Sequence, residues 1–354
     1  MNRLVLIDGH AILYRAYHAL PTSLTTSTGQ IVNAVYGFTS MLLRVVAELK
    51  PTHLIVVFDT PEPTFRNKLY KDYQIQRPKA DPEFISQIDV VKKVVREMNI
   101  PIFECPGFEA DDVIGTLAFQ ASDLKVKDSR RSGIHDAADA HSSQAASGQN
   151  SKIGEPMETI IVTGDRDMLQ LVNEQIKLYM PVKGLSQSKL YGEPEVVERM
   201  GVTPFQIIDY KGFVGDPSDN YPGIPGIGPK SAEKLLGKWG TLENVYKHLS
   251  DIDGKLAGKL IQHKESALLS KRLATIVIDA PVTFDEEKCI LKNFDTPNVH
   301  QLFEEFGFRS LISRLGVKNK ESRRSGIHDA VITPPIQSGS KTASGQTTLF
   351  SIFL

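Results

Sequence analysis

Cysteine is nearly absent from this chain of 354 residues, where Cys105 and Cys289 are the only two. They lie far apart without His neighbours at metal-ligand spacing, which argues against a disulfide framework or a zinc site. Long apolar runs are lacking too. No stretch approaches membrane-spanning length, and the start reaches Asp8 before any apolar segment long enough for a signal peptide. These absences exclude a membrane role and predict a cytoplasmic chain. An excess of charge of one sign is also missing, since 41 Lys and Arg against 42 Asp and Glu leave a net charge of −1. Affinity for nucleic acid must therefore come from local basic patches, not from the field of the whole chain. The 41% of hydrophobic and 23% of charged residues suffice for one large or two moderate domains.

Short apolar runs alternate with amphipathic stretches in the first part of the chain. Leu4–Ile7, Leu54–Phe58, Pro101–Phe103 and Thr159–Val162 read as buried strands, while Val32–Leu49 and Ile85–Met98 carry helical periodicity. That alternation predicts an α/β fold over residues 1–200, a mainly parallel sheet flanked by helices. From about Thr203 to Gly316 the strand signal fades and helices broken by Gly or Pro dominate, so 201–317 reads as a helical subdomain. Residues 121–157 and 318–354 hold few large apolar side chains and are expected to form a flexible insert and a disordered tail. Both contain one nine-residue string, Ser129–Ala137 and Ser322–Ala330. It reads either as translated repetitive sequence at tolerant sites or as a basic docking element.

Gly215–Ala232 is the most informative segment, Gly-Asp-Pro-Ser-Asp-Asn-Tyr-Pro-Gly-Ile-Pro-Gly-Ile-Gly-Pro-Lys-Ser-Ala. Two carboxylates, Asp216 and Asp219, precede a Gly/Pro hairpin that runs into a helix near Lys230. Gly226 and Gly228 allow a turn with exposed amides, and the helix N-terminus attracts anions. The segment suits a phosphate grip; a plain turn between two helices is the other reading.

The remaining acids fall where a parallel sheet would collect them. Asp8 and Asp59 follow the first two strands, and Asp165 and Asp167 follow the fourth; carboxyl ends of parallel strands form one ligand-binding edge. Glu109, Asp111 and Asp112 open a helix. Each acid taken singly has an ordinary reading as a turn or helix-start residue. Together the nine carboxylates, with no compensating basic cluster, would repel one another unless they surround divalent cations. Oxygen-only ligands favour Mg2+ or Mn2+, and two such ions roughly 4 Å apart can hold a phosphodiester, activate water and stabilise the leaving oxygen.

The chain closely resembles the 5′ nuclease domain of bacterial DNA polymerase I, within the wider flap endonuclease family. The resemblance rests on Leu-Ile-Asp-Gly-His-Ala-Ile-Leu-Tyr-Arg-Ala-Tyr (6–17), Asn-Ala-Val-Tyr-Gly-Phe-Thr (33–39), Val-Phe-Asp (57–59), Glu-Ala-Asp-Asp-Val-Ile-Gly (109–115), Thr-Gly-Asp-Arg-Asp (163–167) and the Gly215 segment. It covers about residues 3–317 apart from the insert. It implies a PIN-like, resolvase-like core followed by a helix-three-turn-helix subdomain, working as a stand-alone 5′–3′ exonuclease and flap endonuclease in replication and repair. DNA with a 5′ flap, nick or free 5′ end would be its substrate, RNA primers would be removed, and a monomer would act.

The resemblance also distributes roles. Asp8, Asp59, Glu109 and Asp111 would surround one Mg2+, while Asp165, Asp167 and Asp216 hold the second, Asp111 being able to bridge. Asp112 and Asp219 would support them. Arg66 and Arg77 match basic positions at the scissile phosphate, in a region, 66–98, that forms an arch over a single-stranded 5′ end. Gly223, Gly226, Gly228, Lys230, Ser231 and Lys234 would grip the duplex backbone, commonly with K+ bound by the hairpin, and Lys238, Lys255 and Lys259 would extend that contact.

One position departs from the family. Where it usually reads Tyr-Lys-x-x-Arg-Pro, this chain has Tyr73-Gln74-Ile75-Gln76-Arg77-Pro78. A neutral amide cannot supply positive charge to the transition state, so a slowed nuclease is expected. The alternative is a catalytically weakened or inactive flap-DNA-binding recruitment protein, against which the full set of acids weighs. A PIN-type RNA nuclease would share sheet and acids, but the hairpin suits a long DNA duplex. Near the end, Gln346-Thr347-Thr348-Leu349-Phe350 looks like the peptide by which replication enzymes dock on a sliding clamp. An apolar end packed on its own domain is the other reading.

Overall fold

The computed structural model describes residues 2–122, 157–183 and 187–316. Among these, strands β1 (Arg3–Asp8), β2 (His53–Val57), β3 (Ile102–Phe103), β4 (Glu158–Val162), β5 (Ile176–Lys183) and β6 (Gln187–Tyr191) form one sheet in the order β3-β2-β1-β4-β5-β6. Every neighbouring pair is parallel except β5 with β6. The first four strands are the expected apolar runs. The β5–β6 hairpin was not expected, because β6 is a largely exposed edge strand rich in polar residues and carries no apolar run.

Side chains alternate across the sheet, and both faces are covered. Val5, Ile7, Leu54, Val56, Ile160 and Val162 pack against the helices Gly9–Ala19, Asn33–Leu49 and Pro82–Glu97. Leu4, Leu6, Ile55, Val57 and Ile161 face the helix Ala110–Ala121 and, beyond it, the helical half of the chain. This is the continuous burial that parallel strands require. At the sheet's carboxyl edge the backbone of Gly9 lies so close to Phe58 that a Cβ there would sit 2.5 Å from the ring. Only glycine permits the turn that leaves Asp8 pointing off the strand end.

The region 66–98, expected to form an arch, divides into a packed helix and an exposed stretch. Pro82–Glu97 is a helix capped by the Asp81 carboxylate, and it buries Phe84, Gln87, Val91, Val94 and Val95 against the core. The exposed stretch is 75–83. In the helical half, Ile207–Val214, Pro229–Trp239, Leu242–Lys247, Gly254–Gln262 and Lys264–Ala274 follow one another. The chain then runs back over Ala110–Ala121, where residues four apart on one helix face receive its backbone N–H groups. Val277 donates to Asp112 at 3.0 Å, Ala280 to Thr116 at 3.0 Å and Phe284 to Gln120 at 2.7 Å. The helices Pro297–Glu305 and Arg309–Leu315 end the described chain on the opposite face of the sheet.

Among the described residues no helix is long and apolar enough to cross a membrane. Both copies of the nine-residue string, most of the expected insert, and Gln346, Leu349 and Phe350 lie outside the described residues.

Candidate metal centre and nucleic-acid interface

β1 pairs with β2 on one side and β4 on the other, so the chain reverses its direction of travel across the sheet at β1. A crevice opens at the carboxyl ends of such strands, and the acids of the sequence collect there. Asp8 ends β1, caps the next helix by accepting from Ala11 N at 3.0 Å, and accepts from the Thr163 hydroxyl at 2.8 Å. Asp59, just past β2, accepts from Ala110 N at 2.8 Å and donates its own N–H to His10 Nδ1 at 3.0 Å. Asp165 accepts from Asp167 N at 2.8 Å in the turn after β4. Asp167, Asp216 and Asp219 each bring a carboxylate oxygen within 4.8 Å of the others.

The electrostatics of this edge are those of crowded, buried acids. Burial lifts the Asp8 carboxyl to about 6, and the neighbouring Asp59 adds to the effect. Burial likewise raises Glu109 to about 7 against the pull of Arg66, and Asp165 to about 7 with help from Asp167. Asp111 is held well above the ordinary carboxylate range, by burial first and then by Asp165 and Asp8. A set of oxygen donors this short of positive charge fits a hard divalent cation.

The set is nevertheless not without basic partners, which corrects the expectation from sequence. Lys211 donates to both Asp167 and Asp216. Burial opposes its charge, but these two acids outweigh burial and raise its pKa. Asp216 is pushed up by burial, yet Lys211 and Ser218 leave it below the usual carboxylate value. Arg77 reaches Asp219 at 2.5 Å. Lys211 could have been found in the sequence, because a lone lysine within Ile-Ile-Asp-Tyr-Lys-Gly-Phe-Val sits in an apolar helix and is buried only with a partner.

Arg66 is placed differently from the phosphate contact that the resemblance implies. It is 2% exposed and makes a two-pronged pair with Asp112, at 2.7 and 2.9 Å. It also approaches Glu109 at 3.3 Å and donates to the carbonyls of Leu273 and Thr275, each at 2.9 Å. A guanidinium engaged on all its edges acts on the carboxylates beside it. Arg77, with a side chain 35% exposed, remains within reach of solvent.

The loop around Gln74 lies on the Asp216–Tyr221 turn. Gln74 has φ +56 and donates its N–H to Asp219 O at 3.0 Å, and Asn220 donates to Asp72 O at 2.8 Å. The Tyr73 hydroxyl sits between Glu109, at 3.3 Å, and Asp219, at 3.4 Å. Farther along, Gly223 is buried, while Gly226, Gly228, Lys230 and Lys234 are exposed and Ser231 is half-buried in the first turn of Pro229–Trp239. Lys259 donates to Gly226 O at 3.2 Å. The structure thus brings Asp8, Asp59, Glu109, Asp111, Asp165, Asp167, Asp216 and Asp219 near one another at this edge, buries Asp112 beneath it against Arg66, and sets the hairpin beside it through the Asp216 turn.

A family model of the 5′–3′ exonuclease N-terminal resolvase-like domain matches residues 3–130, and one of the 5′–3′ exonuclease C-terminal SAM fold matches 202–297. The chain belongs to the 5′–3′ exonuclease family. DNA polymerase I of Bacillus caldotenax is 38% identical over 324 residues, and that of Geobacillus stearothermophilus 39%. Each match covers 91% of this chain and 33% of the polymerase, so the chain spans about a third of the length of these relatives. Among solved structures, the bacteriophage T5 flap endonuclease in a pseudo-enzyme-product complex with DNA and metal ions shares the fold, with a TM-score of 0.60 and 16% identity, covering 86% of this chain and 100% of that one. The catalytic core of Rad2 in complex with a DNA substrate gives a TM-score of 0.52 at 14% identity, covering 88% and 92%.

Of the residues that hold the acids in place, sequence reasoning missed His10, Thr163 and Gln170. Their signal was weak, because each is a neutral side chain, and His10 and Thr163 reach acids distant in sequence while Gln170 ties nearby Asp167 to distant Ala274.

Proposed function

We propose that this chain is a structure-specific 5′–3′ exonuclease and flap endonuclease that hydrolyses DNA phosphodiesters. The observation that carries the reading is the convergence of the strand-end acids with the Asp216–Asp219 turn at the switch point of the sheet, in a chain of this family. Asp8, Asp59, Glu109 and Asp111 would hold one Mg2+, and Asp165, Asp167 and Asp216 a second, with Mn2+ as a substitute. Asp219 stands close enough to join the second set. Such ions, when bound, supply Lewis acidity toward the phosphate and an acidified water.

The side chains divide the remaining work. Thr163 and Ala110 N orient Asp8 and Asp59. Lys211 offsets the charge of Asp167 and Asp216, and Arg66 orients Glu109 and Asp112 from below. Arg77 is the arginine with access to a phosphate in the crevice. Exposed hairpin amides with Lys230, Ser231 and Lys234 would hold the duplex backbone, a contact that carries no sequence information. K+ at the hairpin would compete with Lys259 for the Gly226 carbonyl.

A DNA with a 5′ flap, nick or free 5′ end is the substrate in this reading, its single strand passing beneath residues 75–83. Removal of RNA primers, action as a monomer in the cytoplasm, and docking on a sliding clamp through Gln346, Leu349 and Phe350 belong to the same reading. Incubating the chain with a labelled 5′-flap duplex tests it. Cleavage near the junction in Mg2+, abolished by chelator, is expected. Binding without any cleavage would favour the recruitment protein instead.

A further inference from the structure

The helix Lys264–Ala274 touches both halves of this machinery. On its first turns Ser266 donates to Gly223 O at 2.7 Å, and one turn on Ser270 accepts from Gly223 N at 3.0 Å. Gly223 has φ +60 and leaves no room for a Cβ, which would lie 2.2 Å from Gly215 N, so its backbone is fixed where the two serines hold it. About 6 Å beyond Ser270 along the helix axis, at the C-terminal end, the contacts change partner.

There the Gln170 side chain, 3% exposed, takes over. Its amide nitrogen donates to Ala274 O and to Asp167 O, both at 2.9 Å, and its oxygen accepts from Ile276 N at 2.9 Å. One planar group therefore joins the end of the helix to the carbonyl of an acid in the crevice, with donors and acceptor all engaged. Arg66 runs in parallel, from Leu273 O and Thr275 O to Asp112 and Glu109. The helix is thus bonded to the hairpin near one end and to both groups of acids at the other.

We propose that Gln170 is a positioning residue that couples the duplex grip at Gly223 to the placement of Asp167. A duplex seated on the hairpin loads Gly223, the two serines transmit that load to a stiff helix, and Gln170 sets the Asp167 turn by the position of Ala274. Catalysis is steep in such placement: an error of about 1 Å costs on the order of 100-fold in rate. The proposal rests on the nuclease reading above.

The test uses the whole chain and a 5′-flap duplex. Gln170→Met keeps the side-chain length and removes the three hydrogen bonds. The single-turnover cleavage rate at saturating DNA in Mg2+ is expected to fall roughly 10- to 100-fold, with Kd for the same duplex in Ca2+ changed by less than about threefold. Ser270→Ala, which removes the acceptor for Gly223 N one turn before Ala274, is expected to slow cleavage at saturating DNA as well. In the double variant the two losses should combine to less than their product, as for residues acting through one connection. An unchanged rate, equal losses in rate and in DNA affinity, or fully multiplicative losses would each overturn the coupling. If Gln170→Met does not fold, Ser270→Ala decides, because a change confined to Kd would overturn the coupling. A wild-type chain that cuts no flap would instead sink the nuclease reading itself, so the two failures are distinguishable.

Discussion

Arg66 and Asp112 are both buried to within 2% of full, and each is the other's main source of charge balance. Removing one member leaves a charge in the interior without its counterpart, so Asp112→Ala is expected to destabilise the fold by about 3–5 kcal/mol in urea unfolding. A loss below about 1 kcal/mol would mean that Arg66 finds another partner, with Glu109 as the nearest candidate. Gln74 is the opposite case, a polar residue whose backbone is fixed by Asp219 O while its neutral side chain stands where the resemblance implies a lysine. Restoring that charge with Gln74→Lys is expected to raise the single-turnover rate about 10-fold or more; no acceleration in a flap-cleavage assay would reject the deficit. The carboxylates were legible in the sequence because acids after apolar strands are conspicuous. The directions of the arginines were not, since Arg66 and Arg77 look alike in the chain and only packing sends one into the core. Lys211 could be marked as a buried lysine needing an acid, but that it bridges Asp216, five residues on, to Asp167, 44 residues back, follows only from folding.

Strands β1, β2 and β4 were legible because a strand buried on both faces must be an apolar run, and the β5–β6 pair was not because one of its strands faces solvent. The region 66–98 was half legible. A sequence pattern marks Pro82–Glu97 as amphipathic but does not say that its apolar side closes on the sheet. The strand ends carry a further consequence for stability. Asp8 titrates at about 6, and Glu109 and Asp165 at about 7, whereas unfolded carboxyls titrate near about 4. Between those values the folded chain binds more protons than the unfolded one, so stability falls as pH rises through this window and levels above it. Thermal unfolding in chelator is therefore expected to give a midpoint that declines from about pH 5 to about pH 7.5. Mg2+ should recover most of the loss at the upper end, by binding the ionised acids of the folded state alone. A midpoint that rises with pH in chelator would contradict the crowding of these acids.

The two family models divide the chain, but the packing does not. One continuous core joins Leu4, Leu6 and Val57 of the sheet to Phe213, Ile224, Leu235 and Leu260 of the helical half. On the other face Val299, Leu302, Phe303 and Phe308, after the helical half in sequence, pack with Val5, Phe38 and Val94 from near the start. A chain that leaves the sheet, builds the hairpin-bearing helices and returns to close the first core gives neither part a boundary at which it can unfold alone. Unfolding is therefore expected to be a single transition. Two probes report on the separate halves: fluorescence of Trp239, the single tryptophan, in the helical half, and thiol labelling of Cys105, buried beside the acid crevice, in a Cys289→Ala background. Their urea midpoints should coincide. Phe303→Ala, which empties a fully buried site behind the sheet, should cost about 3–5 kcal/mol and shift both midpoints together. A shift at Cys105 with Trp239 unmoved would show two independent units, and with them a duplex grip able to fold without the acids it serves.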